Sequence, residues 1–564
     1  MRHLILTFGV ILAAAAPAAA NDQGGPSDDV RRRVDAVFSD YDKPTSPGCA
    51  VAVYQGDRIV YRNAYGMANL DHDVRLSPST VFHVASVSKQ FTGAAILLLA
   101  QDGKLALDED IRKYIPELPD FGRTITIRHL ANHTSGLRDQ WDLLGLAGWR
   151  YSRDLITDDD VMELLVRQKA LNFAPGERHL YSNSGYTLMA VIVSRVSGKS
   201  FREFTSERIF KPLGMTNTHF RDNFAEIVKH QAYGYAPAGG SFRLSVTNFD
   251  TAGATSLLTT VEDLAKWHAN FDSKQVGGEA FQTALLQRGV LASGASIDYA
   301  FGVTHGTYRG LPTVGHGGSD AGYRADFVRF PGRGLGIATL CNIATANPGQ
   351  LSRRVADVFL PPDLPPTATE PPVDDSPEVP LPEATLKKYA GLFWNEADTA
   401  ARTTAFDAGK LYVVNGRDRI ALKSLGGGAF VMTSGPRARI RFEETSGGDV
   451  RLHAGPNGPV LVKTELFEPT AEQLAGFAGV YRSDEMDAVF RMVVKEGRLE
   501  LHRSRNRPTA LDAVVRDTFR TGGQVFQFTR DGSDRVSGFV LQGGRVKHVK
   551  FWKELSPARS SSEQ

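Results

Sequence analysis

The chain has 564 residues, more than one compact core organises, so about three to four domains are expected. Its hydrophobic content of 42% and charged content of 23% are those of ordinary soluble globular protein. A formal net charge of +2 argues against nucleic acid or a membrane surface as the main partner.

In chain order, a basic start (Met1-Arg-His) precedes an apolar stretch from Leu4 to Ala16 and a small-residue segment ending at Ala20. Residues 1–20 therefore read as a cleaved signal peptide, with a periplasmic or secreted mature protein. No later run approaches the length of a membrane helix, so no membrane span is expected. Residues 28–39 read as a helix. Cys49–Tyr54 and Arg58–Tyr65 read as a hairpin turned at Gln55-Gly-Asp. The two cysteines, Cys49 and Cys341, are too few for a disulfide framework and read first as small buried hydrophobes.

The stretch "HVASVSKQFTG" (83–93) opens a nearly continuous apolar run, so Ser86 to about Gln101 is predicted to be a buried helix. Ser86 and Lys89 stand three positions apart and share a face of it. A buried lysine is costly unless its amine is paired or loses its proton. Taken alone, the tetrapeptide reads first as a boundary lysine whose stem snorkels to water. In "LANHTSGL" (130–137), His133 reads as a structural turn residue. His129 and His133 have helical metal-ligand spacing but lack a third ligand, so no metal is expected. "APGERHLYSNSGY" (174–186) places Tyr181, Ser182 and Asn183 before a helix over 182–196, where Ser182 and Asn183 also suit a capping turn. "VGHGGSDAGY" (314–323) sets four glycines around His316, either for close approach to a ligand or as a plain hairpin turn. Strands are predicted at 301–307, 323–330 and 335–340. Strands at both ends with helices between them make residues 28–360 an α+β domain whose sheet joins N- and C-terminal strands.

Residues 361–382 hold nine of the 28 prolines and read as a stiff linker. Beyond them "LKKYAGLF" (386–393) returns as "LAGFAGVY" (474–481), and "GKLYVV" (409–414) as "GRLELH" (497–502), each 88 residues on. Alternating apolar residues between Gly, Asn and Asp turns make 383–469 and 470–556 two small antiparallel β-barrel modules. Neither holds a concentrated catalytic set.

Ser86-x-x-Lys89, Tyr181-x-Asn183 and His316-Gly317-Gly318, in that order, resemble the three active-site motifs of penicillin-recognising serine hydrolases. "HTSGL", "PGERHLYSN", "PLGM" (212–215) and "GHGGSDAGYR" (315–324) support the likeness, which covers about residues 30–360. The resemblance implies a β-lactamase/penicillin-binding-protein-like domain, an antiparallel sheet flanked by helices. It implies Ser86 as acylated nucleophile, Lys89 and Tyr181 sharing the base role, and Asn183 orienting substrate and Lys89. Substrate would also meet His316 and Gly318, with an oxyanion hole of the Ser86 and Ser319 backbone N–H groups. No cofactor or metal is called for.

At the third motif the family's Lys-Thr-Gly is replaced by His316-Gly317-Gly318, so a fixed cation becomes a titratable imidazole and a hydroxyl is lost. Each missing charge-assisted donor to a substrate carboxylate costs about 1.5–3 kcal/mol, which argues against efficient β-lactam hydrolysis. The architecture with two barrels is similar to that of bacterial D-aminopeptidases, and it implies that a loop of the last module, near Arg520–Gln524, reaches the site. The expected substrate is a small peptide, amide or ester. A carboxylesterase on the same scaffold is the second reading, and a non-catalytic sensor of peptidoglycan fragments the third. If the first and last strands pair as in the family sheet, Cys49 and Cys341 come near each other, though cross-strand disulfide geometry is demanding. The sequence leaves a homodimer open.

Overall fold

Strand β1 (Cys49–Gln55) is buried on both faces along all but its last residue. The reason is its place in the sheet. A computed structural model describes residues 27–366, 377–415, 418–434, 438–455 and 458–554. In it β1 lies between β2 (Arg58–Tyr65) and the last strand of a six-stranded antiparallel sheet. Its other members are β3 (Thr304–Tyr308), β4 (Leu311–Asp320), β5 (Tyr323–Phe330) and β6 (Leu335–Cys341), in the order β3-β4-β5-β6-β1-β2. Alternation along β1 sends Ala50, Ala52 and Tyr54 into one core and Cys49, Val51 and Val53 into the other.

The second core is closed by two amphipathic helices. Helix α1 (Asp28–Phe38) is capped by Ser27 and buries Val34, Val37 and Phe38. The helix at the end of this region, Pro348–Phe359, buries Leu351, Val355 and Ala356. The opposite face carries α2 (Lys89–Gln101), α3 (Gln140–Ala147), α4 (Asn183–Ser197) and α5 (Val261–Ser273). Helix α2 is buried from Lys89 through Leu99. Such a helix belongs inside a core.

Two expectations need correction. The glycine-rich "VGHGGSD" is no turn: it is the second half of strand β4, paired His316 to Phe327 and Gly318 to Ala325. Its glycines serve close packing, since a Cβ on Gly318 would stand 2.2 Å from the carbonyl oxygen of Val84. The helix expected from Ser86 begins only at Lys89. Ser86 itself lies in a 3-10 turn, Ala85–Ser88, after Ala85 at φ +49°.

Residues 391–464 and 479–553 each form a closed eight-stranded antiparallel barrel. The repeat is visible in the packing: Tyr389 stacks on Phe442 at 4.6 Å, and its counterpart Phe477 packs on Phe519 at 4.9 Å. The barrels differ in what they touch. The second shares the hydrophobic core of the helical face, where Leu474, Phe477 and Phe490 join one cluster with Leu143 and Leu146. The first has its own core around Phe393, Phe430 and Phe442. The expected leader (1–20) and the middle of the 361–382 segment lie outside the described residues.

Cys49 and Cys341 are direct register partners on β1 and β6 and form a disulfide across a sequence separation of 292. In the chain-entropy account a loop of that size contributes about 6 kcal/mol. Alkylation without reductant is therefore expected to add no label, and reduction is expected to add two and lower the Tm of the catalytic region. Two labels on the unreduced chain would contradict the bond.

Candidate active site

A cleft of about 880 Å³ opens between the sheet and the helical face, lined by Ser86, Tyr181, Asn183, His316, Gly318 and Ser319 among others. Lys89 stands directly behind Ser86. Elements of the sheet, the helical face and the second barrel converge here, and short backbone contacts hold them. A Cβ on Gly302 (φ +77°) would stand 2.3 Å from the Lys89 carbonyl, so glycine there lets the 299–303 segment lie against the start of α2. The open edge of β4 completes one wall: β3 pairs with β4 only as far as Gly315.

Lys89 is fully buried, and its ammonium has three acceptors: Ser86 Oγ at 3.0 Å, Asn183 Oδ1 at 2.8 Å and the Ala254 carbonyl at 2.7 Å. Its three protons are thus all used. Burial still lowers its pKa to about 7, against the opposing pull of Asp320 and Asp139. Tyr181 also hydrogen-bonds Ser86, and burial pushes its hydroxyl well up from the ordinary tyrosine value. The two partners of Ser86 are therefore unequal. At neutral pH the lysine gives up its proton readily and the phenol does not.

His316 is held as a neutral ring. Its Nδ1 lies 2.6 Å from the Gly317 carbonyl, to which it donates, and its Nε2 accepts from the Tyr299 hydroxyl at 2.9 Å. Desolvation, reinforced by Lys89, brings its pKa down to about 4. His133 lies beneath the site, its ring 4.2 Å from that of Tyr181, and its Nδ1 accepts the Ser182 backbone N–H at 3.1 Å. His129 is engaged in a capping box with Thr126.

The sequence did not single out Asp139 or Arg545. Asp139 is fully buried and accepts from the backbone N–H and the side-chain amide of Asn183, at 2.7 and 2.8 Å. Its other oxygen caps α3 and takes Arg545 Nη2 at 2.9 Å. Arg545 sits in the hairpin between strands Val536–Gly543 and Val546–Lys553 of the second barrel, contacts Asp142 as well, and lines the cleft. The loop that reaches the site is thus at 543–546. Arg520, in the loop expected to intrude, instead points at the first barrel, toward Thr403 Oγ1 at 3.4 Å. Arg138, next to Asp139, pins the second barrel through Glu485 at 2.7 Å and the carbonyls of Lys547 and His548.

With this geometry in view, comparison with known proteins is decisive at the family level. Residues 34–359 match the family model described as beta-lactamase, and the chain belongs to that family. A penicillin-binding protein of Bacillus subtilis is 30% identical over 320 residues, 53% of this chain and 69% of that protein. A D-aminopeptidase of Brucella canis is 30% identical over 278 residues, 49% of this chain and 53% of that protein, so the chain spans about half of its length. The octameric penicillin-binding protein homologue from Pyrococcus abyssi shares the fold, with a TM-score of 0.55 over 77% of this chain and 99% of that chain at 23% identity. The chain is a serine hydrolase of the beta-lactamase family with two added barrels.

The Arg138–Glu485 pair is almost wholly buried, at 0% and 3% side-chain exposure. Glu485→Ala leaves a buried guanidinium without its counter-ion, which typically costs about 3–5 kcal/mol. Denaturant unfolding is expected to shift accordingly, with faster proteolysis at the barrel junction. Wild-type stability in this variant would show that the pair does not hold the barrel.

Proposed function

We propose that this protein is an exported hydrolase of small amides and short peptides with a free amino end, with the preference for D-residues that the D-aminopeptidase relatives suggest. The observation that carries this reading is the wall opposite Ser86. Where a carboxylate-binding relative needs a fixed cation, there is a neutral imidazole followed by Gly317, which has no hydroxyl. The same cleft is lined by three carboxylates, Asp142, Asp320 and Asp326, against two guanidiniums, Arg324 and Arg545. Arg545 and Asp142 pair with each other, and Arg353 pairs with Asp326 at 3.3 Å, so Asp320 and Arg324 are what remain and the cleft has no surplus cation to hold a substrate carboxylate. The Arg545 hairpin also occupies one end of the cleft, which favours small substrates. The Cys49–Cys341 bond supports export, because such bonds persist in oxidising compartments.

In this mechanism Lys89, as free amine, takes the Ser86 proton while Oγ attacks the substrate carbonyl. The backbone N–H groups of Ser86 and Ser319 hold the oxyanion. Tyr181, still a phenol, passes a proton to the leaving amine and is recharged from Lys89. Asn183 fixes the lysine through its oxygen because Asp139 holds its amide nitrogen. Water then hydrolyses the acyl-enzyme by the same route in reverse.

The decisive experiment compares steady-state rates on D-alanine p-nitroanilide, its L-isomer, p-nitrophenyl acetate and a chromogenic cephalosporin. The D-anilide is expected to be cleaved and the cephalosporin to be nearly inert. Turnover of the acetate alone would make the protein an esterase, and no turnover of any substrate would favour a sensor. Ser86→Ala is expected to lower kcat by about 10³-fold or more with the fold intact. A few per cent of residual activity would remove Ser86 from the nucleophile's place.

The acid limb of kcat/KM follows from Lys89. Its charged form prevails below a pKa of about 7 and cannot accept a proton, so activity rises with pH to a half-maximum near 7. A profile flat between pH 6 and 8 would assign the base elsewhere. Arg545→Ala is expected to raise the ratio of kcat/KM for a bulky substrate over a small one. An unchanged ratio would rule out a size gate at this hairpin.

A further inference from the structure

A second cavity, of about 580 Å³, lies away from Ser86 on the far side of Tyr323. At its floor is Arg221, only 7% exposed. Its Nη2 donates to Thr247 Oγ1 at 3.0 Å, while its Nε is buried with no acceptor. Among the described residues no carboxylate lies within ion-pair distance of it. The neighbouring acids are already engaged. Glu226 is held by Arg202 at 2.7 Å and lies 3.5 Å from His219, and Asp250 accepts the Phe224 backbone N–H at 2.5 Å. A buried guanidinium in this condition is costly unless an anion reaches it.

The mouth of the cavity is apolar. Val74, Phe224, Ile227 and Tyr233 line it, and they are 4 of the 14 exposed large hydrophobics among the described residues. Ile227 is 93% exposed. Apolar exposure concentrated around one opening marks a contact surface. Arg75, also at the rim, adds a cation whose Asp42 partner is 3.5 Å away in an exposed pair. A buried guanidinium without a counter-ion matches a carboxylate, because charge-assisted hydrogen bonds are stronger than those to a neutral acceptor.

We propose that this cavity binds a monocarboxylate with an apolar body, its carboxylate on Arg221 and its chain or ring against Phe224 and Ile227. The site is separate from the cleft but shares a wall with it. The ring of Tyr323 closes the cavity and lies 5.3 Å from that of His83, whose Nε2 is 2.9 Å from Asp320 of the cleft. The proposal does not depend on the substrate assigned above.

Isothermal titration of the full chain with sodium decanoate, decanol and decyltrimethylammonium tests it. Decanoate is expected to bind about ten-fold tighter than decanol, with the ammonium weakest, the size of one charge-assisted contact. Arg221→Gln is expected to erase the preference and Arg221→Lys to keep part of it. Ile227→Asp puts a carboxylate on an exposed side chain at the mouth, where folding is not at stake, and is expected to weaken decanoate selectively. A parallel titration with N-acetylphenylalanine separates two sources of the same chemistry: tighter decanoate points to a fatty acid, tighter N-acetylphenylalanine to an acylated amino acid. Decanoate binding no tighter than decanol, or unaltered by both Arg221→Gln and Ile227→Asp, overturns the proposal.

Discussion

One buried carboxylate organises both the chemistry and the assembly. Asp139 has no exposure, and burial pushes its pKa up even with Arg545 beside it. It is retained because every direction around it is used: the first turn of α3, both nitrogens of Asn183, and the guanidinium of the second barrel. By holding the Asn183 nitrogen it leaves the Asn183 oxygen for Lys89, which fixes where the lysine amine can be. The adjacent Arg138 turns the other way, into the barrel. Two consecutive residues of opposite charge thus face the reaction and the added domain.

The cost of this arrangement is borne locally. Lys89 and Asp139 are ionisable groups in a low-dielectric interior, and Ala85 holds a left-handed conformation disfavoured for a residue with a Cβ by about 1–2 kcal/mol. The surroundings supply the compensation. Helix α2 brings a continuous apolar surface from Phe91 to Leu99, and the backbone of β4 packs directly on the turn before Ser86 through Gly318. Strain at the nucleophile's turn is stable because both sides are fixed by cores.

Much of this was legible in the sequence. The apolar run after Ser86 placed the lysine on a buried helix, and the 88-residue repeat separated the barrels, because both signals are local or periodic. The strand character of "VGHGGSD" was hidden by its glycines, which usually mark turns and here serve close packing against Val84. Arg545 could not be found by pattern. It is 406 residues from Asp139, in a hairpin with ordinary turn composition, and only the docking of the second barrel selects it over the Arg520 tip. Long-range charge pairing leaves no trace in spacing.

The disulfide has a consequence for covalent continuity. Because it joins the first and last strands of the sheet, the backbone from Cys49 to Cys341 is a closed ring with two tails. Ser86, Lys89, Tyr181, Asn183 and His316 all lie on the ring, whereas Arg545 lies on a tail. One backbone cut anywhere inside the ring leaves every catalytic candidate on a single covalent molecule. A cut in the proline-rich segment severs the covalent tie to the barrels, which would then stay only by non-covalent contacts: the core shared with the second barrel and the grip of Arg138 and Asp139. The same protease event is therefore survivable on one side of Cys341 and separating on the other.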